Sequence, residues 1–208
     1  MAIAYYYNND LSKLYINIIK NFECTNHCVF CDKPELELLS STELFLEKVP
    51  TIEEIVNSVG TEITAKVNEL IFCGLGEPTL YLDTLLNSAK ALREKYDIPL
   101  RLNTNGQAYL IYPERKEIPN ELKKAGFKIV SISLNAISNK EYNNFHHSDY
   151  ENPFESIVKF IQDCNIIGLK TYVSFIEFRN FKRANALNFI KKCGLKENNL
   201  KFRKYIKM

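Results

Sequence analysis

Leu14-Tyr15-Ile16-Asn17-Ile18-Ile19-Lys20-Asn21-Phe22-Glu23-Cys24-Thr25-Asn26-His27-Cys28-Val29-Phe30-Cys31 leads out of an apolar run into a loop with three cysteines spaced C-x3-C-x2-C. Leu14 to Lys20 reads as a first buried strand. Phe30 places an aromatic directly before the last cysteine. Thiolates are the usual protein ligands of iron–sulfur clusters, and a [4Fe–4S] cube has four iron corners. Three clustered ligands, Cys24, Cys28 and Cys31, leave one iron open, which suits a cluster that binds and activates a substrate or cofactor. Structural zinc normally closes with four ligands. His27 is a fourth candidate, but no second half-site follows, and His146 and His147 read as polar loop residues. Disulfide frameworks belong to small secreted domains, and this chain shows no secretory signal. Cys73, Cys164 and Cys193 are isolated in predicted strands or helices, where cysteine behaves as a small buried hydrophobe.

The bulk properties narrow the class. A chain of 208 residues suits one domain, residues 1–208, with a sizeable core. Hydrophobic residues make up 46% and charged ones 25%, which argues against wholesale disorder. No apolar run approaches a membrane span, so no membrane association is expected and a cytoplasmic location is, where a reduced cluster survives. The net charge of +2 leaves no global nucleic-acid footprint. Charge is uneven, however: residues 182–207 hold nine Lys or Arg and one acid, Glu197. That segment is a possible polyanion contact, or the solvated faces of a helix and an edge strand.

Strands alternate with helical patterns along the whole chain. Beyond the first strand, strands are expected at 69–73, 99–103, 128–134, 171–176 and 200–206. Helices are expected from a capping box at Thr51-Ile52-Glu53-Glu54, over 83–96, from Asn152-Pro153-Phe154-Glu155 to about residue 167, and over 182–194. Repeated βα units imply a parallel sheet with right-handed crossovers. Six units fit a doubly wound sheet or a partial barrel, and periodicity alone does not choose. Either architecture puts a ligand at the carboxyl ends of the strands, where the cysteine loop begins.

Other unusual runs fall at that same end. Cys73-Gly74-Leu75-Gly76-Glu77-Pro78-Thr79 follows the second strand; its glycines allow close backbone approach and Pro78 stiffens the exit. It has neither the Gly-x-Gly-x-x-Gly nor the P-loop pattern. On the next two strands Arg101, Asn103 and Asn105 alternate, as do Ser131, Ser133 and Asn135. Alternation puts each set on one face, which is unexpected for buried parallel strands. The alternatives are an internal hydrogen-bond network and a polar lumen for ligands. Thr104-Asn105-Gly106 is also a turn signal.

Together these runs resemble the radical S-adenosylmethionine (radical SAM) superfamily, and the whole chain looks like its core domain. The resemblance implies an α/β fold, a partial (β/α)6 barrel of parallel strands. It is closer to the subgroup associated with TatD-type nucleases, on Phe72–Thr79, Arg101–Gln107 and Ser131–Ala136. It implies an enzyme in which a [4Fe–4S] cluster on Cys24, Cys28 and Cys31 reductively cleaves S-adenosyl-L-methionine (SAM), giving methionine and a 5′-deoxyadenosyl radical that abstracts hydrogen from substrate. Cofactor contacts carried over by the resemblance fall on Phe30, Gly74, Leu75, Gly76, Glu77, Asn103, Ser133 and Asn135, and a ribose contact on Ser174 or Glu177. The second family glycine is displaced, leaving Leu75, but a main-chain carbonyl remains. Arg101 is expected in the same lumen, facing the SAM carboxylate or an anionic substrate group.

An external electron donor, flavodoxin- or ferredoxin-like, is implied. At 208 residues, no auxiliary-cluster extension or cobalamin domain is expected. The substrate is open: a large partner, as for activases of glycyl-radical proteins, or a small molecule under a loop such as residues 33–50. A non-catalytic iron–sulfur module and a nucleic-acid module on residues 182–207 are the other classes. Replacing Cys24, Cys28 or Cys31 by Ala is expected to abolish cluster assembly, read as loss of iron and of visible absorbance after anaerobic reconstitution. The same change at Cys73, Cys164 or Cys193 is expected to cost packing only.

Overall fold

The computed structural model describes residues 2–31, 43–178 and 181–205. Seven strands form one sheet in chain order: β1 (Ala4–Tyr5), β2 (Lys13–Ile16), β3 (Glu69–Phe72), β4 (Leu100–Thr104), β5 (Phe127–Ser133), β6 (Lys170–Glu177) and β7 (Leu200–Lys204). β2 to β7 pair in parallel, and β1 pairs antiparallel with β2. The helices are α1 (Ile52–Glu62), α2 (Leu82–Lys95), α3 (Ala108–Ile111), α4 (Ile118–Ala125), α5 (Asn139–His146), α6 (Phe154–Ile166) and α7 (Arg183–Lys192).

This order decides between the two architectures. A doubly wound sheet reverses strand order at a switch point, whereas here every parallel neighbour is the next strand in the chain. Right-handed crossovers without reversal carry all helices to one face, so the other face becomes the inside of a partial barrel. Residue parity agrees. Leu70, Phe72, Leu100, Leu102, Val130 and Val173 join the buried apolar cluster with the helices. Asn17, Arg101, Asn103, Ser131, Tyr172 and Ser174 lie at the alternate positions, on the inner face.

Local chemistry sets the element ends. Thr51 Oγ1 accepts from Glu54 N–H at 3.2 Å and Glu54 Oε2 accepts from Thr51 N–H at 2.7 Å, the expected capping box at α1. The start of α6 differs from expectation. Pro153 takes the N-cap position without a side-chain cap, and Asn152 is left-handed at φ 49°. β1 was not expected, being two residues in a tyrosine-rich stretch; its Ala4 N–H bonds Ser58 Oγ of α1 at 3.0 Å. Helices α3, α4 and α5 are short and likewise unexpected.

Leu102 lies at the middle of the central strand β4, fully buried, with Phe72 and Val130 as its pairing partners. Leu102→Ala removes core volume that rigid strands on both sides cannot refill. It should lower unfolding stability by about 2–5 kcal/mol, measured by denaturant titration.

Candidate active site

The chain leaves β2 through a helical turn at Lys20–Phe22, where Asn21 and Phe22 have φ 49° and 53°. That turn swings the cysteine loop over the carboxyl ends of the strands, where the loop after β3 meets it. Glu77 N–H donates to Glu23 O at 2.9 Å. Gly76 has φ +132°, and a Cβ there would stand 2.3 Å from the same carbonyl. A Cβ at Gly74 would stand 2.3 Å from Asn17 Oδ1. Both glycines are therefore required by close approach.

The Glu77 side chain points inward and is 1% exposed. Its Oε1 accepts from Thr79 N–H (2.9 Å), Thr79 Oγ1 (2.6 Å) and Thr104 Oγ1 (2.7 Å), and its Oε2 from Asn105 N–H (2.7 Å). Burial raises this carboxyl above the usual range, while the bonds from Thr79, Asn105 and Thr104 oppose that. Asn105 continues the chain of contacts: its Nδ2 donates to Thr25 Oγ1 at 2.8 Å and stands 4.0 Å from Cys24 Sγ. Gln107 Nε2 reaches Asn26 Oδ1 at 2.9 Å and Ser148 Oγ at 2.9 Å. The polar residues after β4 thus anchor the cysteine loop.

Cys24, Cys28, Cys31 and Phe30 border a cavity of about 270 Å³. The segment Gly74–Glu77 closes one side of it, and Asn103, Ser133 and Arg203 reach it from β4, β5 and β7. Among the described residues, no three His, Cys, Asp or Glu side chains gather closely enough for a single metal ion; the thiols border a larger space. Burial pushes the Cys28 thiol up, helped by the neighbouring Cys24 and Cys31. His146 Nδ1 stands 3.1 Å from Cys28 Sγ and Nε2 3.1 Å from Leu134 O. Burial pushes this imidazole down to about 4, so Nε2–H donates to the carbonyl and Nδ1 accepts from the thiol. Tyr142 stacks on the His146 ring at 4.1 Å and Phe30 meets it edge-on at 5.2 Å.

Several expected residues stand elsewhere. Asn135 falls beyond the end of β5 with φ 52°, so the strand alternation no longer applies; its Oδ1 accepts from Ile176 N–H at 2.9 Å. It borders an adjoining cavity of about 250 Å³ with Phe30, Ser133 and Ser174. Glu177 points to the helix side and binds Arg183 at 2.6 Å. Arg101 is on the inner face as expected, but low in the sheet. Its Nη2 pairs with the buried Glu69 at 3.0 Å, while its buried Nε has no hydrogen-bond partner among the described residues. Cys73 is not a core residue: it borders the cysteine cavity, and Asn103 donates to its sulfur. Cys164 and Cys193 are buried in the core as expected.

The histidines divide. His146 is 1% exposed against Cys28, not a surface loop residue, and was missed because a short helix, α5, carries it there. His27 is exposed and pairs with Asp149 at 3.0 Å, away from the cavity. Among the described residues of the basic segment, 182–205, alternation along β7 sends Lys201 and Arg203 inward while α7 carries Lys191 and Lys192 outside. The loop expected over the substrate falls largely on residues 32–42, outside the described residues.

The donor set fits a cluster with a small zwitterionic cofactor beside it. Three thiols share one cavity with a glycine-lined backbone. Asn103 Oδ1 is buried at its edge with no hydrogen-bond partner among the described residues, an acceptor in want of a donor.

Comparisons with known proteins agree. The family model described as "Radical SAM superfamily" matches residues 18–177. The chain is 25% identical to a GTP 3′,8-cyclase of Campylobacter jejuni subsp. doylei over 195 residues, 90% of this chain and 54% of that protein. It is 28% identical to a GTP 3′,8-cyclase of Clostridium botulinum over 159 residues, 75% and 44% of the two chains. The chain therefore spans about half the length of these curated relatives. Among solved structures, native anSMEcpe with bound AdoMet superposes with TM-score 0.61 at 17% identity, over 91% of this chain and 51% of that one. HydG, a maturase of the [FeFe]-hydrogenase, superposes with TM-score 0.63 at 13% identity, over 93% and 43%. These two likenesses speak for the fold.

Gly76→Ala tests the contact between the two loops. The added methyl meets Glu23 O, a backbone atom that cannot turn aside. The variant should fold but hold less iron than the parent after reconstitution and release it more readily to a chelator, since a loss of about 1.4 kcal/mol is a tenfold weaker affinity. Iron and sulfide assays, with circular dichroism as the folding control, read the outcome.

Proposed function

The chain belongs to the radical SAM superfamily, and from that premise we propose that it is an enzyme holding a [4Fe–4S] cluster on Cys24, Cys28 and Cys31. The observation that carries this reading is that the three thiols border one cavity with Gly74–Glu77 and Asn103 at the carboxyl ends of parallel strands. When bound, cluster and SAM supply one-electron cleavage of a sulfonium C–S bond and with it a hydrogen-abstracting 5′-deoxyadenosyl radical. The electron comes from an external flavodoxin- or ferredoxin-like donor.

The residues divide the remaining work. Gly74, Leu75 and Gly76 offer backbone to the methionine end of SAM. Glu77, saturated by four donors, holds the backbone of that loop and of Asn105 in place instead of meeting SAM itself. Asn103 offers its unsatisfied Oδ1 to an ammonium or hydroxyl donor. Phe30 and Ser133 border both cavities and suit the adenosine end, with Ser174 beyond them. Within the superfamily, the runs Phe72–Thr79, Arg101–Gln107 and Ser131–Ala136 support assignment to the subgroup associated with TatD-type nucleases. We assign the enzyme to the cytoplasm; among the described residues no helix is long and apolar enough to cross a membrane.

The test is direct. Anaerobically reconstituted protein, reduced with dithionite and given SAM, should release 5′-deoxyadenosine, and the Cys28→Ala variant should release none. Absence of product from protein with a full cluster and measurable SAM binding would refute the reading. Asn103→Ala should weaken SAM binding by about 1–3 kcal/mol, the usual cost of deleting a partner from a desolvated site, with cluster content unchanged; equilibrium binding measures it.

A further inference from the structure

The inner face carries more positive charge than the sheet itself uses. Lys13 pairs with Asp10 at 2.5 Å and Arg101 with Glu69 at 3.0 Å. Lys170, Lys201 and Arg203 have no carboxylate partner among the described residues. Instead the two lysines gather on one ring: Lys201 Nζ stands 4.7 Å and Lys170 Nζ 5.4 Å from the centroid of Tyr172, with Arg101 at 5.9 Å. Arg203 lies two residues beyond Lys201 on the same face of β7, about 7 Å further along the strand, and reaches the cysteine cavity. Cations run from the lower lumen up to the chemical end.

We propose that this inner face of β6 and β7 is the substrate side of the site, taking a small molecule with at least two negative charges held by Lys170 and Lys201 around Tyr172 and by Arg203 above them. The proposal rests on reading the cysteine cavity as the cofactor site. Three like charges on neighbouring strands repel one another unless an anion joins them, and paired anionic groups about 7 Å apart or less match the spacing of Lys201 and Arg203. Of the three cations Arg203 alone lines both cavities, of about 270 and 250 Å³, and so joins the cationic face to the cofactor site. A nucleic acid lying on the outer surface would meet α7 and not these residues. The family match ends at residue 177, and Lys201 and Arg203 lie outside the matched range.

Pyrophosphate serves as the phosphate probe and citrate as the carboxylate probe, each titrated calorimetrically into reconstituted protein at low salt. At least one should bind, the tighter of the two naming the anion type. Lys170→Gln/Lys201→Gln should weaken that binding tenfold or more and flatten its salt dependence, and Arg203→Gln should do the same. Lys191→Gln/Lys192→Gln, on the outside of α7, should bind as the parent does. Circular dichroism on each variant confirms folding, which these exposed positions do not endanger. The proposal falls if neither probe binds or if the inner-face variants match the parent. It also falls if the outer variant loses binding equally, or if a single-stranded oligonucleotide outcompetes both probes. SAM binding and 5′-deoxyadenosine release are measured on the same samples. Their failure with anion binding intact would overturn the cofactor reading alone, and anion binding that fails with them intact would overturn only this proposal.

Discussion

One buried carboxylate organises the chemical end of this barrel. Glu77 accepts two backbone N–H and two hydroxyl bonds, tying its own loop to Thr79 and to the residues that follow β4. Burying a charge is costly unless it is fully hydrogen-bonded, and here the donors come from two successive βα loops. The cost of burial thus becomes a geometric requirement, because the carboxylate is satisfied only when both loops are in register. Through Asn105 to Thr25, and through Glu77 N–H to Glu23 O, the same clasp fixes the cysteine loop. A polar scaffold under the thiols thus joins the aromatic packing of Phe30 and Tyr142 on His146 in placing them.

That scaffold explains why the inner face tolerates polar residues. Apolar burial is concentrated on the helix side, where the strands contribute their alternate positions. The inner face is freed from core duty and can carry Asn103, Ser133 and the cations of β6 and β7. A doubly wound sheet with the same strands would have helices on both faces and could not leave these groups in a lumen.

The cysteine spacing, the glycine loop and the polar alternation on β4 were legible because each depends on local chemistry: ligand type, backbone approach and strand parity. The capping box of α1 was legible for the same reason. What was hidden depended on contacts between distant segments. Nothing near His146 signals that α5 carries it to Cys28, 118 residues away in sequence. At Asn135 parity fails because β5 has ended, although it still borders the cavity with Phe30 and Ser133, and Cys73 was misplaced because an isolated cysteine on a strand looks alike on either face. Arg101 was placed on the correct face, but its partner Glu69 lies at the far end of a neighbouring strand. Strand order, which separates a partial barrel from a doubly wound sheet, is a pairing property that periodicity does not contain.

The sequential strand order also assigns different duties to the two halves of the chain. β2 to β4 and their loops carry the thiols, the glycines and Glu77, so any change there disturbs several bonds of one network at once. β6 and β7 add side chains to the lumen without entering that network: Lys201 and Arg203 make no hydrogen bond to the clasp. β7 stands at the edge of the described sheet, and β6 is its one neighbour among the described strands. A barrel built in chain order therefore keeps the cysteine loop and its polar clasp on the first strands and leaves its last strand outside that network.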